Sequence, residues 1–231
     1  MTTIIDQHGQ VTLEAHLGSD LDVVNAARVS FGKRSDALDD AGEKLIGYLV
    51  RERHGTPFEH NLFRFHVACP IFVAREWFRH RIGSFNEMSA RYTELPERWW
   101  SPTRFDLRRR VGRPGRYEYA PFVTGDDDES TLGAQAAHRI DRHGRDSFLL
   151  YRQLLAAGVA PEQARTVLPV GSYTEFWWSV NARSLMNFLS LRTAPNAQAE
   201  IRAYATAVEA YFANAMPVTH RAWVNCGRVT P

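Results

Sequence analysis

Cysteine is scarce in this sequence. Cys69 and Cys226 lie far apart and form no CxxC pair or other metal-spaced set. That excludes a disulfide scaffold and points to a reducing, cytoplasmic setting. Long apolar runs are missing too: none approaches the roughly 20 residues that span a bilayer, so no membrane partner is expected. The first ten residues, MTTIIDQHGQ, carry no basic region followed by an apolar one, so no signal peptide is expected. Charge of one sign is also lacking. The formal net charge is +2, which argues against a nucleic-acid partner, since that needs an extended basic face.

Motifs are missing as well. No GxGxxG follows a strand-like segment and no GxxxxGK[ST] occurs, so a bound dinucleotide would not be held by the Rossmann device. The histidines include no HxH or HxxxH pair with a carboxylate in step, and no metal site is expected. There is no internal repeat.

The 44% hydrophobic content supports one sizeable core, so residues 1–231 are read as a single domain. Residues 10–17 alternate as a strand. A helix is expected from Ser19 or Asp20 to Ala27, and another over 36–53 with Gly55 as its stop. Leu62 to Cys69 alternates, with Phe63, Phe65 and Val67 on one face and Arg64 and His66 on the other. Pro70 is expected to open a helix through Phe78, with a loop after it at Gly83 and Asn86. Residues 104–129 turn basic and then acidic around Gly-Arg-Pro-Gly and read as an exposed excursion. A helix is expected over 130–158, weakened at Gly144. A short one is expected at Pro161, a buried aromatic strand over 172–181, and helices over 182–192 and 197–216. Strands and helices mix without βαβ alternation, so the fold class is α+β, with a mixed antiparallel sheet and long helices.

The densest polar chemistry lies in residues 79–92. Arg79, Arg81 and Arg91 are interleaved there with His80, Asn86, Glu87 and Ser89. Guanidinium groups bind oxyanions in a bidentate way, and Arg165, Arg183 and Arg192 at later element ends could join them on a phosphate-bearing ligand. Like charge from Arg79 and Arg81 should push His80 towards its neutral form. Ser89 has no Ser-His-Asp context, so contact with phosphate or base is its economical role. Cys69 reads as a small buried hydrophobe.

Arg79-His80-Arg81, seven residues, Ser89, one residue and Arg91 resembles the signature of the flavin-dependent thymidylate synthases. The resemblance extends to Ala27-Arg28-Val29-Ser30-Phe31, Thr56-Pro57-Phe58-Glu59-His60, Pro70-Ile71-Phe72-Val73, Ala164-Arg165-Thr166-Val167-Leu168-Pro169 and Asn181-Ala182-Arg183-Ser184-Leu185-Met186-Asn187-Phe188. It implies a homotetramer with active sites at subunit interfaces and FAD in a non-Rossmann groove. By matching positions, Thr56, Arg79, His80, Arg81, Glu87, Asn181, Arg183 and Asn187 would contact FAD. Glu76, Arg79, Glu87, Ser89, Arg91, Arg165 and Arg192 would line the nucleotide site. The implied reaction is C5 methylation of dUMP to dTMP, with methylenetetrahydrofolate as carbon donor and NADPH as reductant. Arg192 would be the catalytic cation that stabilises charge developing on the pyrimidine.

One departure stands beside Arg192. Relatives usually carry Asp-Ser-His before Ala-Gln, whereas this chain has Thr193-Ala194-Pro195-Asn196 before Ala197-Gln198. The resemblance places that turn beside the pyrimidine and flavin sites, where it could admit a ribose 2′-hydroxyl. UMP is therefore an alternative substrate, as in relatives from nucleoside-antibiotic pathways, and a non-catalytic nucleotide-binding protein is a second alternative.

Overall fold

The computed structural model describes residues 2–103, 105–113, 116–122 and 132–231. The acidic run 126–129, the Pro114-Gly115 pair and the expected helix start at 130–131 lie outside the described residues. The chain forms two compact units, one drawn from Met1–Cys69, Val73–Glu87 and Glu175–Pro231, the other from Pro70–Phe72 and Met88–Thr174.

The first unit is built on a five-stranded sheet in the order β1-β2-β3-β7-β4. Its strands are β1 (Thr2–Ile4), β2 (Gln10–Leu17), β3 (Leu62–Pro70), β4 (Ser84–Glu87) and β7 (Tyr173–Asn181). β1 pairs with β2, β2 with β3 and β4 with β7, each antiparallel. Helices α1 (Asp20–Arg28), α2 (Asp40–Arg51), α3 (Ile71–Trp77), α6 (Ala182–Arg192), α7 (Ala199–Ala215) and α8 (Pro217–Asn225) accompany it. This is the α+β architecture that the missing βαβ alternation implied.

The alternation of β3 sets the core face. Phe63, Phe65 and Val67 are fully buried, while His66 faces outward and meets Glu175 at 3.3 Å. Trp77 sits at the centre of the core. It stacks on Phe188 of α6 with centroids 4.7 Å apart and meets Trp178 of β7 edge-on at 5.3 Å. Each such pair adds about 0.5–1.5 kcal/mol beyond area burial. Cys69 is buried, and burial, with Glu87 and Asp6 adding to it, raises its thiol well above the ordinary range. It is a core residue with little thiolate character.

Several boundaries differ from the sequence reading. α2 starts at Asp40, because Asp39 caps it by accepting from the Gly42 amide at 2.7 Å. The left-handed position after α2 is Arg53, at φ 58°, and Gly55 instead opens a 3-10 turn over Thr56–Glu59. Pro70 closes β3, so α3 begins one residue later and ends at Trp77. Gly83 lies in a bend as expected, but Asn86 lies in strand β4. Phe85 lies opposite Trp178 and stacks on it at 6.1 Å, a cross-strand aromatic contact that outweighs the local turn propensity. α8 was not foreseen. Its first turn is held by buried Asp20, which accepts from the amides of Val218 (2.9 Å) and Thr219 (2.8 Å).

The second unit contains α4 (Leu132–Ala156), α5 (Pro161–Ala164) and a separate hairpin of β5 (Arg108–Arg113) and β6 (Arg116–Pro121). Phe148, Tyr151 and Ala164 form its core with Leu95, Trp99 and Leu168 packed against them. α4 runs unbroken through Gly144, since that is where the Trp99 ring lies against the helix; a Cβ would overlap it. The hairpin is exposed and forms a regular two-stranded ribbon, with Arg110 over the Tyr117 ring at 4.3 Å.

Candidate active site

Two chain segments meet to form a cleft in the first unit. After α3 the chain turns, with the His80 amide bonded to the Trp77 carbonyl at 3.0 Å. This leaves Arg79 and Arg81 exposed and packs His80 edge-on against Phe188 at 5.0 Å. Opposite, β7 ends at Asn181, whose side-chain oxygen caps α6 by accepting from the Ser184 amide at 2.8 Å. Helical spacing then puts Arg183, Asn187 and Leu191 on one face. The cleft has a volume of about 710 Å³, and its walls include Arg79, His80, Arg81, Asn181, Arg183, Asn187 and Arg192.

Arg192 is held at three points. Its Nη1 donates to Glu76 Oε2 at 2.8 Å, its Nη2 to the Glu76 carbonyl at 3.0 Å, and its Nε to His80 Nε2 at 3.0 Å. Burial raises the Glu76 carboxyl pKa, and Glu200 adds to this, while Arg192 opposes it. His80 is driven down to about 4, first by burial and then by Arg192. The neutral ring agrees with the sequence reading, but the cause differs. Arg79 and Arg81 project into water, which screens them, and the cation that acts on the ring is Arg192.

Arg183 is fixed as firmly. Its Nε donates to the main-chain oxygen of Pro231 at 2.7 Å and its Nη1 to Glu59 Oε1 at 2.6 Å. Buried Gly55 lets the guanidinium pass: a Cβ there would stand 2.5 Å from Arg183 Cζ. Arg79 and Arg81 make no side-chain hydrogen bond or ion pair among the described residues, and the Asn181 amide nitrogen is likewise unused. Unpaired guanidiniums beside free amide edges suit a ligand that carries phosphates and a hydrogen-bonding heterocycle. The donor set therefore fits a flavin dinucleotide.

The remaining candidates lie elsewhere. Thr56, in the 3-10 turn, and Glu87, at the end of β4, are exposed and do not line this cleft. Glu76 stands behind Arg192. Ser89, Arg91 and Arg165 belong to the second unit. There Ser89 Oγ accepts from Arg91 Nε at 3.4 Å, and Arg165 Nε donates to the Glu162 carbonyl at 3.3 Å. Sequence reasoning gave no role to Glu59, an acid inside a stretch it singled out, nor to Thr230 and Pro231, which also line the cleft and carry no sequence signal. Thr193, Ala194 and Pro195 line a second cleft of about 800 Å³ with Glu209, His220 and Arg228, not the cleft of Arg192. Among the described residues, no group of His, Cys, Asp and Glu side chains could hold a metal ion. No described helix is long and apolar enough to cross a membrane.

The family model for Thymidylate synthase complementing protein matches residues 12–218. The chain belongs to the flavin-dependent thymidylate synthase family. A flavin-dependent thymidylate synthase of Thermosipho melanesiensis is 47% identical over 208 residues, covering 90% of this chain and 87% of the relative. Its counterpart from Streptomyces coelicolor is 43% identical over 242 residues, covering 98% and 96%. Among solved structures, the UMP/dUMP methylase PolB from Streptomyces cacaoi, bound with 5-Br dUMP, superposes with a TM-score of 0.86 at 43% identity, over 96% of this chain and 97% of that one. The same enzyme bound with 5-Br UMP gives 0.85. As a member of that family, the chain is an enzyme of the FAD-dependent, thymidylate synthase-type methyltransferase class, and its chemistry is C5 methylation of a nucleotide.

Proposed function

We propose that the chain converts dUMP to dTMP by reductive C5 methylation, with methylenetetrahydrofolate as carbon donor and NADPH as reductant. FAD occupies the cleft along α6, where Arg79, His80, Arg81, Asn181, Arg183 and Asn187 bind and orient it; Thr56 and Glu87, outside that cleft, are assigned to FAD only by their match to the family's motif. When bound and reduced, the flavin supplies the hydride. Glu76, Arg79, Glu87, Ser89, Arg91, Arg165 and Arg192 are assigned to the nucleotide by their match to the family's motif. The working assembly is a homotetramer in the cytoplasm, and the flavin groove is not a Rossmann fold.

The observation that carries this reading is the three-point hold on Arg192. Methylation at C5 needs electron density there. Neither Cys69, which is buried with its thiol raised, nor Cys226 lines the cleft of Arg192, so on this reading that density is not drawn from cysteine addition at C6. A permanent cation in fixed orientation can instead stabilise negative charge as it develops at N3 and the neighbouring carbonyl of the pyrimidine. Glu76 and His80 do the orienting, so little reorganisation is needed during reaction.

UMP is the second reading, and PolB supports it: that relative is described as a UMP/dUMP methylase and has been seen with both brominated nucleotides. A product assay with dUMP and UMP side by side, at saturating flavin and folate, decides between them. Methylated product from UMP alone would overturn the dUMP assignment. Purified chain that neither retains nor takes up FAD would overturn both.

A further inference from the structure

We infer that Glu209 is a positioning residue for the cleft along α6, acting through Arg228 and the segment 228–231 on Arg183. The inference rests on the reading of that cleft as the flavin site.

Glu209 lies on α7 and lines the second cleft. Arg228 grips it with both ends of its fork: Nη1 reaches Oε2 at 2.9 Å and Nη2 reaches Oε1 at 2.7 Å. His220 Nε2 sits 2.9 Å from Oε1, and Arg228 Nη1 also donates to Thr193 Oγ1 at 3.1 Å. The guanidinium lies over the Trp223 ring at 4.9 Å. Burial alone would raise the Glu209 carboxyl, but the bonds from Arg228 and His220 hold it below its ordinary range. Thus α7, α8 and the turn after α6 all converge on one side chain. A bidentate pair fixes orientation as well as distance.

The clamped residue has an unusual backbone. Arg228 sits at φ 60°, a left-handed conformation that residues with a Cβ rarely adopt. Held there, its carbonyl accepts from Ser190 Oγ of α6 at 2.5 Å, and Thr230 Oγ1 lies 3.3 Å from the same hydroxyl. Two residues beyond Arg228 the chain reaches the first cleft. Thr230 and Pro231 line it, and the main-chain oxygen of Pro231 takes the Nε–H of Arg183. Glu59 takes an Nη1 hydrogen, so the free Nη2 edge of Arg183 has its direction set from both sides. The bonded path from Glu209 to Arg183 therefore links two clefts that share no lining residue.

The test compares wild type with Glu209→Gln, which keeps the shape and removes the charge, and with Arg228→Lys, which keeps the charge and removes the fork. FAD affinity is read by quenching of flavin fluorescence, dUMP affinity by calorimetry, and amide exchange over 226–230 by mass spectrometry on flavin-free protein. Both variants should weaken FAD binding about tenfold, a shift of the size expected when a hydrogen-bonded charge pair is broken. They should change dUMP affinity less than twofold and speed exchange in the segment. In a cycle with Arg183→Ala, the losses in FAD affinity should not add. Unchanged FAD affinity in folded variants overturns the inference. So do equal losses for FAD and dUMP, or additive losses in the cycle. A wild-type chain that takes up no FAD overturns the reading of the cleft itself, a result distinguishable from failure of the clamp alone.

Discussion

Arg192 Nε donates to His80 Nε2 at 3.0 Å, across 112 positions of sequence. The acceptor nitrogen must be bare, so a neutral His80 carries its proton on Nδ1. One hydrogen bond therefore fixes both the direction of the candidate catalytic cation and the tautomer of the ring beside it.

Burial of this ring, with Arg192 beside it, has a consequence for stability. The ring stays neutral in the folded chain down to about pH 4, whereas an unfolded histidine takes up its proton near 6.5. The unfolded state thus binds the extra proton first as pH falls. The His80 contribution is fully present above pH 6.5 and is lost between there and about pH 4. For a partly exposed ring, where water screens the interaction, the loss amounts to about 1–2 kcal/mol. Urea unfolding at pH 7.0 and pH 4.5 should show this drop in wild type and a smaller one in His80→Gln. An identical drop in both would show that another group carries it.

Arg192→Ala should lower turnover by about a hundredfold or more, the usual loss when a preorganised charge-stabilising donor is removed. Arg192→Lys should rescue little of it, since an ammonium cannot reach Glu76 Oε2, the Glu76 carbonyl and His80 together. Rates of dTMP formation at saturating dUMP are the measurement. Turnover within twofold of wild type in Arg192→Ala would remove the cation from the chemistry.

Local patterns made much of this chain legible. The alternation of Phe63, Phe65 and Val67 marks β3, because one buried face repeats with the period of the element; in α6 the buried Leu185, Phe188 and Leu189 likewise recur at helical spacing. Arg79-His80-Arg81 was legible because so polar a cluster has no use in a core. What could not be read depends on distant partners. β4 forms because Phe85 finds Trp178, and α8 is capped by an aspartate 198 positions earlier. The turn after Arg192 is next to the candidate catalytic residue in sequence, yet its side chains face Glu209 and Arg228. Adjacency along a chain says little about direction where a helix ends.

Asp20 offers a stability test away from the cleft. Its carboxylate accepts three hydrogen bonds: from the amides of Val218 and Thr219 and from Thr219 Oγ1 at 2.6 Å. Asp20→Ala strands those donors in a buried site and should cost about 2–4 kcal/mol. Asp20→Asn keeps an acceptor oxygen but gives up the charge at a helix N-terminus, and should cost about 1 kcal/mol. Chemical denaturation checks both. Equal losses would mean that the charge, rather than the shape of the acceptor, carries this cap.

Gly55→Ala should harm the cleft more than the fold. The added methyl would stand 2.5 Å from Arg183 Cζ and 2.9 Å from Cδ, so the guanidinium must swing away and give up Pro231 and Glu59. Gly55 has an ordinary φ of −76°, and alanine is not strained there by its backbone. The whole effect therefore falls on Arg183. FAD affinity should drop about tenfold, with a stability loss near 1 kcal/mol from crowding. Gly47→Ala is the matched control: it lies inside α2 with open space around its Cβ position and should gain about 0.5–1 kcal/mol without touching FAD binding. If Gly55→Ala binds FAD as wild type does, Arg183 does not hold the flavin from the position it occupies against Glu59 and Pro231.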